Sequence, residues 1–264
     1  MKSAVFFDID GTLWDYDKYI PESTKLAFKK LKENGHLAFI CSGRARAFIN
    51  DPDLLGLGFD GIVCSCGCHI EIDGKIIYQK LIEKDFAKKT IEMIRDYGFR
   101  PILEGPDHIY MDDDEFDFDD PFGNVLRRDV GKKLLSVGGD YYGDWVINKM
   151  SCATEVEADK RVECFKKLSS HYEIIKHSDE ICELVPAGHN KATGMLKACE
   201  LIGMDVANTY AIGDSENDLD MLQAAHIGIA MGNGTDRAKA VADYVTTDFD
   251  KDGIYNALEH FGLI

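Results

Sequence analysis

Positive charge is what this sequence has least of. Thirty lysines and arginines stand against 47 aspartates and glutamates, a formal net charge of −17. Nucleic acids and anionic membrane surfaces are bound through basic footprints, so neither is expected as a partner. Long hydrophobic runs are also missing, since no apolar stretch approaches the ~20 residues that span a bilayer. The opening residues MKSAVFF reach Asp8 before they supply the apolar length of a secretory leader. There is no internal repeat, and no low-complexity tract apart from one acidic run. Eight cysteines, at 41, 64, 66, 68, 152, 164, 182 and 199, fall mostly inside apolar segments. With no leader expected, they read as reduced, buried thiols, and a cytoplasmic location is expected.

What the sequence does have is alternation of strands and helices. Residues 3–9, 37–41 and 61–64 are short continuous apolar runs, the mark of strands buried on both faces. Between the first two, Pro21 to Asn34 reads as a helix with Ala27, Phe28 and Leu31 inward and Gly35 as its stop. From about residue 82 the style changes. A helix over 85–97 with Ala87, Ile91 and Ile94 on one face precedes short strands at 100–104 and 108–111. A helix at 159–171 then precedes strands at 173–177 and 181–185. After about 186 the first style returns: helix 191–202, strand 209–214, a helix from 216, strand 227–231, a helix from 235, strand 243–247 and a last helix. The expected fold is α/β, a doubly wound parallel sheet interrupted by a smaller α+β domain. The expected boundaries are 1–81 and 185–264 for the core and 82–184 for the insert. At 264 residues, two domains are the natural division.

Four stretches carry chemistry, three of them where an expected strand gives out. "DIDGT" (8–12) follows the first strand and Ser42-Gly43 the second, "GDSENDLD" (213–220) follows the apolar run TYAI (209–212), and Lys191 heads the helix that re-enters the core. In open parallel sheets ligands bind outside the carboxyl ends of strands. Asp8, Asp10, Asp214 and Asp218 brought to one crevice would need a cation, and hard oxygen ligands suit Mg²⁺. Ser42 would donate a hydrogen bond, and Lys191 a point charge, to the oxygens of a phosphate beside that cation. A carboxylate can act as the nucleophile of phosphoryl transfer, and a second one two residues on can protonate the leaving oxygen and then activate water. Each stretch alone has an ordinary reading. "DIDG" resembles part of a calcium loop but lacks the later ligands, Ser215 with Asp218 is a helix capping box, and Ser-Gly turns are common.

In this order, DIDGT, CSGR, a lysine and GDSENDLDM resemble the four motifs of the haloacid dehalogenase superfamily. The stretch "AMGNGTDRAKAVADYVTTDFDKDGI" is similar to the tail of its Cof-type phosphatases. The resemblance implies a Rossmann-like core with an inserted C2-type, subtype B cap that selects substrate, and Mg²⁺-dependent hydrolysis of a small phosphate ester through an aspartyl-phosphate. Carried over by position, it implies Asp8 as nucleophile and Asp10 as general acid/base. Thr12, Ser42, Gly43, Lys191 and Asn217 would bind phosphate, and Asp8, Asp10, Asp214 and Asp218 would surround the metal. The substrate class it implies is a sugar phosphate or cofactor-like phosphate. The alternatives are a phosphomutase and a non-catalytic phosphate-metabolite sensor. A dehalogenase fits less well, because those relatives usually lack the second aspartate, here Asp10. Two places depart from the pattern: Cys66 precedes Gly67 where relatives usually carry Asn-Gly, and His189-Asn190 stand where they more often have small residues.

Three further features have expected structural explanations. Cys64, Cys66 and Cys68 alternate and would line one face of a strand, with His69 on the other, which favours small buried thiols over a metal site. The run "DDDEFDFDD" (112–120), seven acids in nine positions, reads as a solvated loop of the insert. Arg127, Arg128, Lys132 and Lys133 offer an anion contact there that no spacing selects. Trp14 and Tyr16 read as packing residues of a hinge.

Overall fold

The computed structural model describes residues 2–140, 142–153, 155–176 and 181–264. The first part of the chain runs β1 (Ala4–Phe7), α1 (Glu22–Glu33), β2 (Leu37–Cys41), α2 (Pro52–Leu55), β3 (Gly61–Cys64), β4 (His69–Ile72) and β5 (Lys75–Gln79). The middle runs α3 (Lys84–Asp96), β6 (Arg100–Glu104), β7 (Ile109–Tyr110), α4 (Pro121–Val130), β8 (Leu134–Leu135) and β9 (Lys149–Ala153). It continues with α5 (Ala158–Leu168), β10 (Tyr172–Lys176) and β11 (Ile181–Pro186). The last part runs α6 (Lys191–Ile202), β12 (Thr209–Gly213), α7 (Leu219–Ala224), β13 (Ile227–Ala230), α8 (Asp236–Val241), β14 (Tyr244–Val245) and α9 (Gly253–His260). The chain divides into two compact units. One takes in residues up to Gly43, Asn50–Tyr78 and Asn190–Ile264, and the other Arg44–Ile49 and Gln79–His189.

The first unit is built on an eight-stranded sheet ordered β14-β13-β12-β1-β2-β3-β4-β5. From β14 to β3 every pairing is parallel. All four residues of β1 are fully buried, as an apolar run covered by helices on both faces requires. Helix α1 buries Thr24, Ala27, Phe28 and Leu31, the i, i+3, i+4, i+7 stripe of an amphipathic helix. The strand order changes direction beside β1, with β12 on one side and β2 on the other. Their carboxyl ends therefore open onto one edge of the sheet.

One expected feature is corrected here. Residues 65–68 do not extend β3. They form a tight turn into β4, which pairs antiparallel with β3. Ser65, Cys66 and Gly67 all have positive φ (51°, 51° and 83°), so Cys64, Cys66 and Cys68 share no strand face. All eight cysteines are buried and none is in a disulfide.

The second unit holds a six-stranded sheet ordered β10-β11-β9-β6-β7-β8, antiparallel except for the short β7–β8 pair. Ala87, Ile91 and Ile94 of α3 and Cys164 and Leu168 of α5 pack with Leu103, Met150, Cys152, Cys182 and Leu184 of the sheet. Helix α4 uses Leu126 and Val130 in a separate cluster with Ile102, Ile109, Met111 and Phe116. The strand expected at 173–177 is observed as β10, and His177 lies outside the described residues. The acidic run is not simply solvated. Arg95 binds Asp112 (2.9 Å) and Glu115 (2.7 Å), Arg100 binds Asp120 (2.6 Å), and Arg127 binds Asp113 (2.7 Å).

Burial alone would push the Asp112 carboxyl up. Hydrogen bonds from Ser136, from the Gly138 N–H and from Arg95 outweigh it and hold the group below its usual value. A carboxyl lowered on folding adds stability above its unfolded value, near pH 4, and that stability is lost as pH falls through the folded value. Asp112→Asn is therefore expected to destabilise the protein by about 1 kcal/mol at pH 7 and by much less at pH 3. Denaturant unfolding of both proteins at the two pH values measures the difference.

Candidate active site

Strand β1 ends at Phe7, but the ladder continues one bond further, with Asp8 N–H donating to Ile212 O of β12 at 2.9 Å. This seats Asp8 at the sheet's carboxyl edge, 4% exposed. The chain then closes on itself: Leu13 N–H and Trp14 N–H both donate to Ile9 O, and Gly11 N–H to Trp14 O. Gly11 has φ +78°, and a Cβ there would lie 2.5 Å from Asp214 Oδ2, so only glycine allows this loop against the loop after β12. Thr12 Oγ1 donates to Asp214 Oδ1 at 3.0 Å and ties the two loops directly.

The loop after β12 is organised by Asp218, which is fully buried. Its Oδ2 accepts from Asp214 N–H (3.1 Å) and Ser215 N–H (3.0 Å), while Ser215 Oγ reaches the same oxygen at 3.3 Å. This is the capping box read from the sequence, and it fixes the carboxylate that faces the lysine. Lys191 is the first residue of α6, whose start is held by a second reciprocal cap between Asn190 and Thr193. The helix lies hard against the turn after β3, since a Cβ on Gly194 would fall 2.5 Å from Gly67 Cα.

A cation at a helix N-terminus faces the positive end of the helix dipole, so burying Lys191 there requires strong compensation. It comes from three residues: Nζ donates to Asp8 Oδ1 at 2.7 Å, to Asp218 Oδ1 at 2.6 Å and to Asn217 Oδ1 at 3.0 Å. Desolvation opposes the charge, but the two carboxylates outweigh it and hold the ammonium well above its ordinary value. The carboxylates are less well served. Burial, then repulsion from Asp218, pushes the Asp8 carboxyl well above its usual range despite the lysine. Burial and the same neighbour push Asp214 up to about 6.

Asp8, Asp214 and Asp218 offer oxygens within 4.8 Å of one another, and among the described residues this is the one such grouping of His, Cys, Asp or Glu side chains. Three carboxylates against one ammonium leave two uncompensated charges when all are ionised. A divalent cation matches both that deficit and the hard-oxygen donor set. The residues present therefore fit such an ion.

Not every expected site residue joins the cluster. Asp10 is exposed at the lip of the loop, and its Oδ1 accepts from the Trp14 indole N–H at 2.9 Å. Its side chain is not one of the three clustered carboxylates. Ser42 is buried at the end of β2, where its N–H donates to Val63 O and its carbonyl accepts from Cys66 N–H, and Gly43 follows it in a bend. Thr12 holds Asp214, and Asn217 holds Lys191 while accepting from Ser215 Oγ at 2.9 Å. Asn190 also reaches across to Asp220 at 2.8 Å. Two contributors escaped the sequence reading. Ser215 was visible only as a cap, and Trp14 as a packing residue, because no spacing rule reveals where an indole N–H points.

A family model described as haloacid dehalogenase-like hydrolase matches residues 5–258. The chain is 30% identical over 270 residues to a Bacillus subtilis (strain 168) protein named "Putative phosphatase YkrA", covering 98% of each. It is 29% identical to that organism's 5-amino-6-(5-phospho-D-ribitylamino)uracil phosphatase YitU, covering 98% of this chain and 97% of the relative. The structure of the subclass IIB sugar phosphatase BT4131 superposes with a TM-score of 0.83 at 27% identity, all of both chains being covered.

Removing the Lys191 charge is expected to unmask the repulsion it balances. Lys191→Ala should cost about 3–5 kcal/mol of stability at neutral pH without added metal. Because the Asp8 and Asp214 carboxyls are raised by burial and by their acidic neighbours, acidification from pH 8 toward pH 5 favours their neutral forms, so the deficit should shrink there. A series of melting temperatures from pH 5 to pH 8 tests both parts.

Proposed function

Since the chain belongs to the haloacid dehalogenase-like hydrolase family, as the match over residues 5–258 shows, we propose that it is a Mg²⁺-dependent phosphatase of a small phosphorylated metabolite. The observation that carries the reading is the buried Asp8–Lys191–Asp218 array with Asp214 beside it, at the carboxyl ends of β1 and β12. Such a net-negative array is suited to receiving a cation together with the phosphate that the cation neutralises. Mg²⁺, when bound to Asp8 and Asp214, would supply charge compensation for the phosphoryl oxygens.

The chain's own residues then divide the work. Asp8 attacks phosphorus while Asp10 gives a proton to the leaving oxygen, producing an aspartyl-phosphate and an alcohol. Asp10 next takes a proton from water, which attacks the phosphorus and restores Asp8. Lys191 holds Asp8 Oδ1 and offsets phosphate charge, and Asp218 holds Lys191. Ser42, the Gly43 backbone, Thr12 and Asn217 contribute polar contacts around the phosphate. The inserted unit is assigned the choice of leaving group. A sugar phosphate or cofactor-like phosphate as substrate is supported by the names of the relatives, one a sugar phosphatase and one a phosphatase of a ribityl phosphate. The eight buried cysteines, none of them in a disulfide, support a reducing setting.

Phosphate release from a panel of sugar, nucleotide and cofactor phosphates, with and without Mg²⁺, tests the proposal. Asp8→Asn should abolish release yet fold normally, because burial already drives this carboxyl toward its neutral form and the amide is isosteric with it. Full activity in that variant would remove Asp8 from the nucleophile's role. Asp10→Asn should lose on the order of a hundredfold in turnover of an alkyl phosphate. Silence across the panel, with transfer from a bisphosphate donor instead, would point to a mutase.

A further inference from the structure

The loop between β1 and α1 holds a tryptophan in an unusual relation to the carboxyl group assigned to proton transfer. Trp14 is 1% exposed, whereas Asp10 is exposed. The two residues form an isolated parallel bridge, closed by the Gly11 N–H to Trp14 O bond at 2.9 Å. Trp14 N–H in turn donates to Ile9 O at 3.2 Å, so the backbone of residue 14 is fixed from both sides. The ring is buried and its Nε1–H donates to Asp10 Oδ1 at 2.9 Å. A buried indole N–H needs an acceptor, and here that acceptor is a carboxylate oxygen on a mobile-length side chain. Lys18 Nζ lies over the same ring, 5.7 Å from its centroid.

We propose that Trp14 is a positioning residue for phosphoryl transfer, holding Asp10 by Oδ1 so that Oδ2 carries the proton moved in both half-reactions. The inference rests on the phosphatase reading and adds to it a residue and a specific oxygen. An indole N–H only donates, so the oxygen it meets serves best as an acceptor, and the acid proton resides on the other. In the first half-reaction the bond from Asp8 to phosphorus forms, the bond to the leaving oxygen breaks, and the Oδ2 proton passes to that oxygen. In the second, Oδ2 takes a proton from the attacking water as the Asp8–phosphorus bond breaks. Both transfers need the carboxyl held in one rotamer at the edge of solvent. The indole, itself buried, provides that restraint through Oδ1.

A proton donor matters most for a leaving group that departs poorly as an anion. An alkyl phosphate therefore depends on Asp10 orientation far more than p-nitrophenyl phosphate, whose phenolate leaves readily. The experiment compares kcat/KM for glycerol 3-phosphate, or the best alkyl phosphate of the panel, with that for p-nitrophenyl phosphate. It is run in the wild type, in Trp14→Phe, and in the protein carrying 3-benzothienylalanine at position 14, which exchanges the indole N–H for sulfur in a ring of the same shape. The expected result is a fall of about tenfold in the alkyl-to-aryl ratio of kcat/KM in both altered proteins. A fall of the ratio in Trp14→Phe alone, equal losses on both substrates, or an unchanged ratio would each overturn the proposal, because packing alone does not discriminate leaving groups. Asp8→Asn run alongside separates the two readings. Activity lost there with the ratio unchanged at position 14 defeats only the inference, whereas activity retained there, or absent from the wild type on both substrates, defeats the phosphatase reading and the inference with it.

Discussion

A lysine ammonium buried between Asp8 and Asp218 is the contact on which the first unit's site depends. Taken singly, each of these groups is costly to bury, and together they are tolerated because the ammonium bridges a carboxylate from the β1 edge to one from the β12 edge. The bridge also sets the geometry of everything around it. Asp218 can face Lys191 because its other oxygen is pinned by the backbone of residues 214 and 215. Lys191 can reach that far because α6 begins where Asn190 and Thr193 cap it, pressed by Gly194 against the turn after β3. What the bridge does not do is neutralise the cluster. The raised carboxyls of Asp8 and Asp214 are the physical expression of that remainder, and they make the site a receptor for positive charge.

Much of this was legible in the sequence, for identifiable reasons. The core strands are continuous apolar runs that stop at charged or glycine-containing turns, and Pro21 and Gly35 bracket the first helix. The convergence of Asp8, Lys191, Asp214 and Asp218 followed from placing each at an element's end in a parallel sheet. Other parts were opaque. The β3–β4 hairpin was hidden because a turn of Ser65, Cys66 and Gly67 with three positive φ values looks, in alternation alone, like a continuing strand. Helix α4 begins at Pro121, directly after the acidic run, and that run masked its cap, Asp120. Asp10 was read with the metal cluster because two-residue spacing says nothing of side-chain direction in a tight loop.

The second unit solves a different electrostatic problem. Its acidic run would repel itself as an open loop. Arg95, Arg100 and Arg127 gather four of its seven acids, and Arg100 and Arg127 also lie over the rings of Phe116 and Phe118. Planar guanidinium groups can serve carboxylates at their edges and an aromatic ring on their face at once, which lysines could not do. In the sheet of this unit Lys149 is buried against Glu104 (3.3 Å) of β6 and Glu183 (2.6 Å) of β11, so each unit buries a lysine between two carboxylates.

The pairing of β1 with β12 joins residues about two hundred positions apart, and Lys191 meets Asp8 across 183 positions. During synthesis β1 and β2 leave the ribosome early, but the other edge of β1 has no partner until β12 emerges. At 5–20 residues per second that interval is roughly 10–40 s. Residues 79–189 are completed within it and hold their own sheet and core. The order of assembly is thus written into the connectivity: the inserted unit can settle first, while an apolar central strand ending in two aspartates waits, exposed along one side, for the segment that will close it.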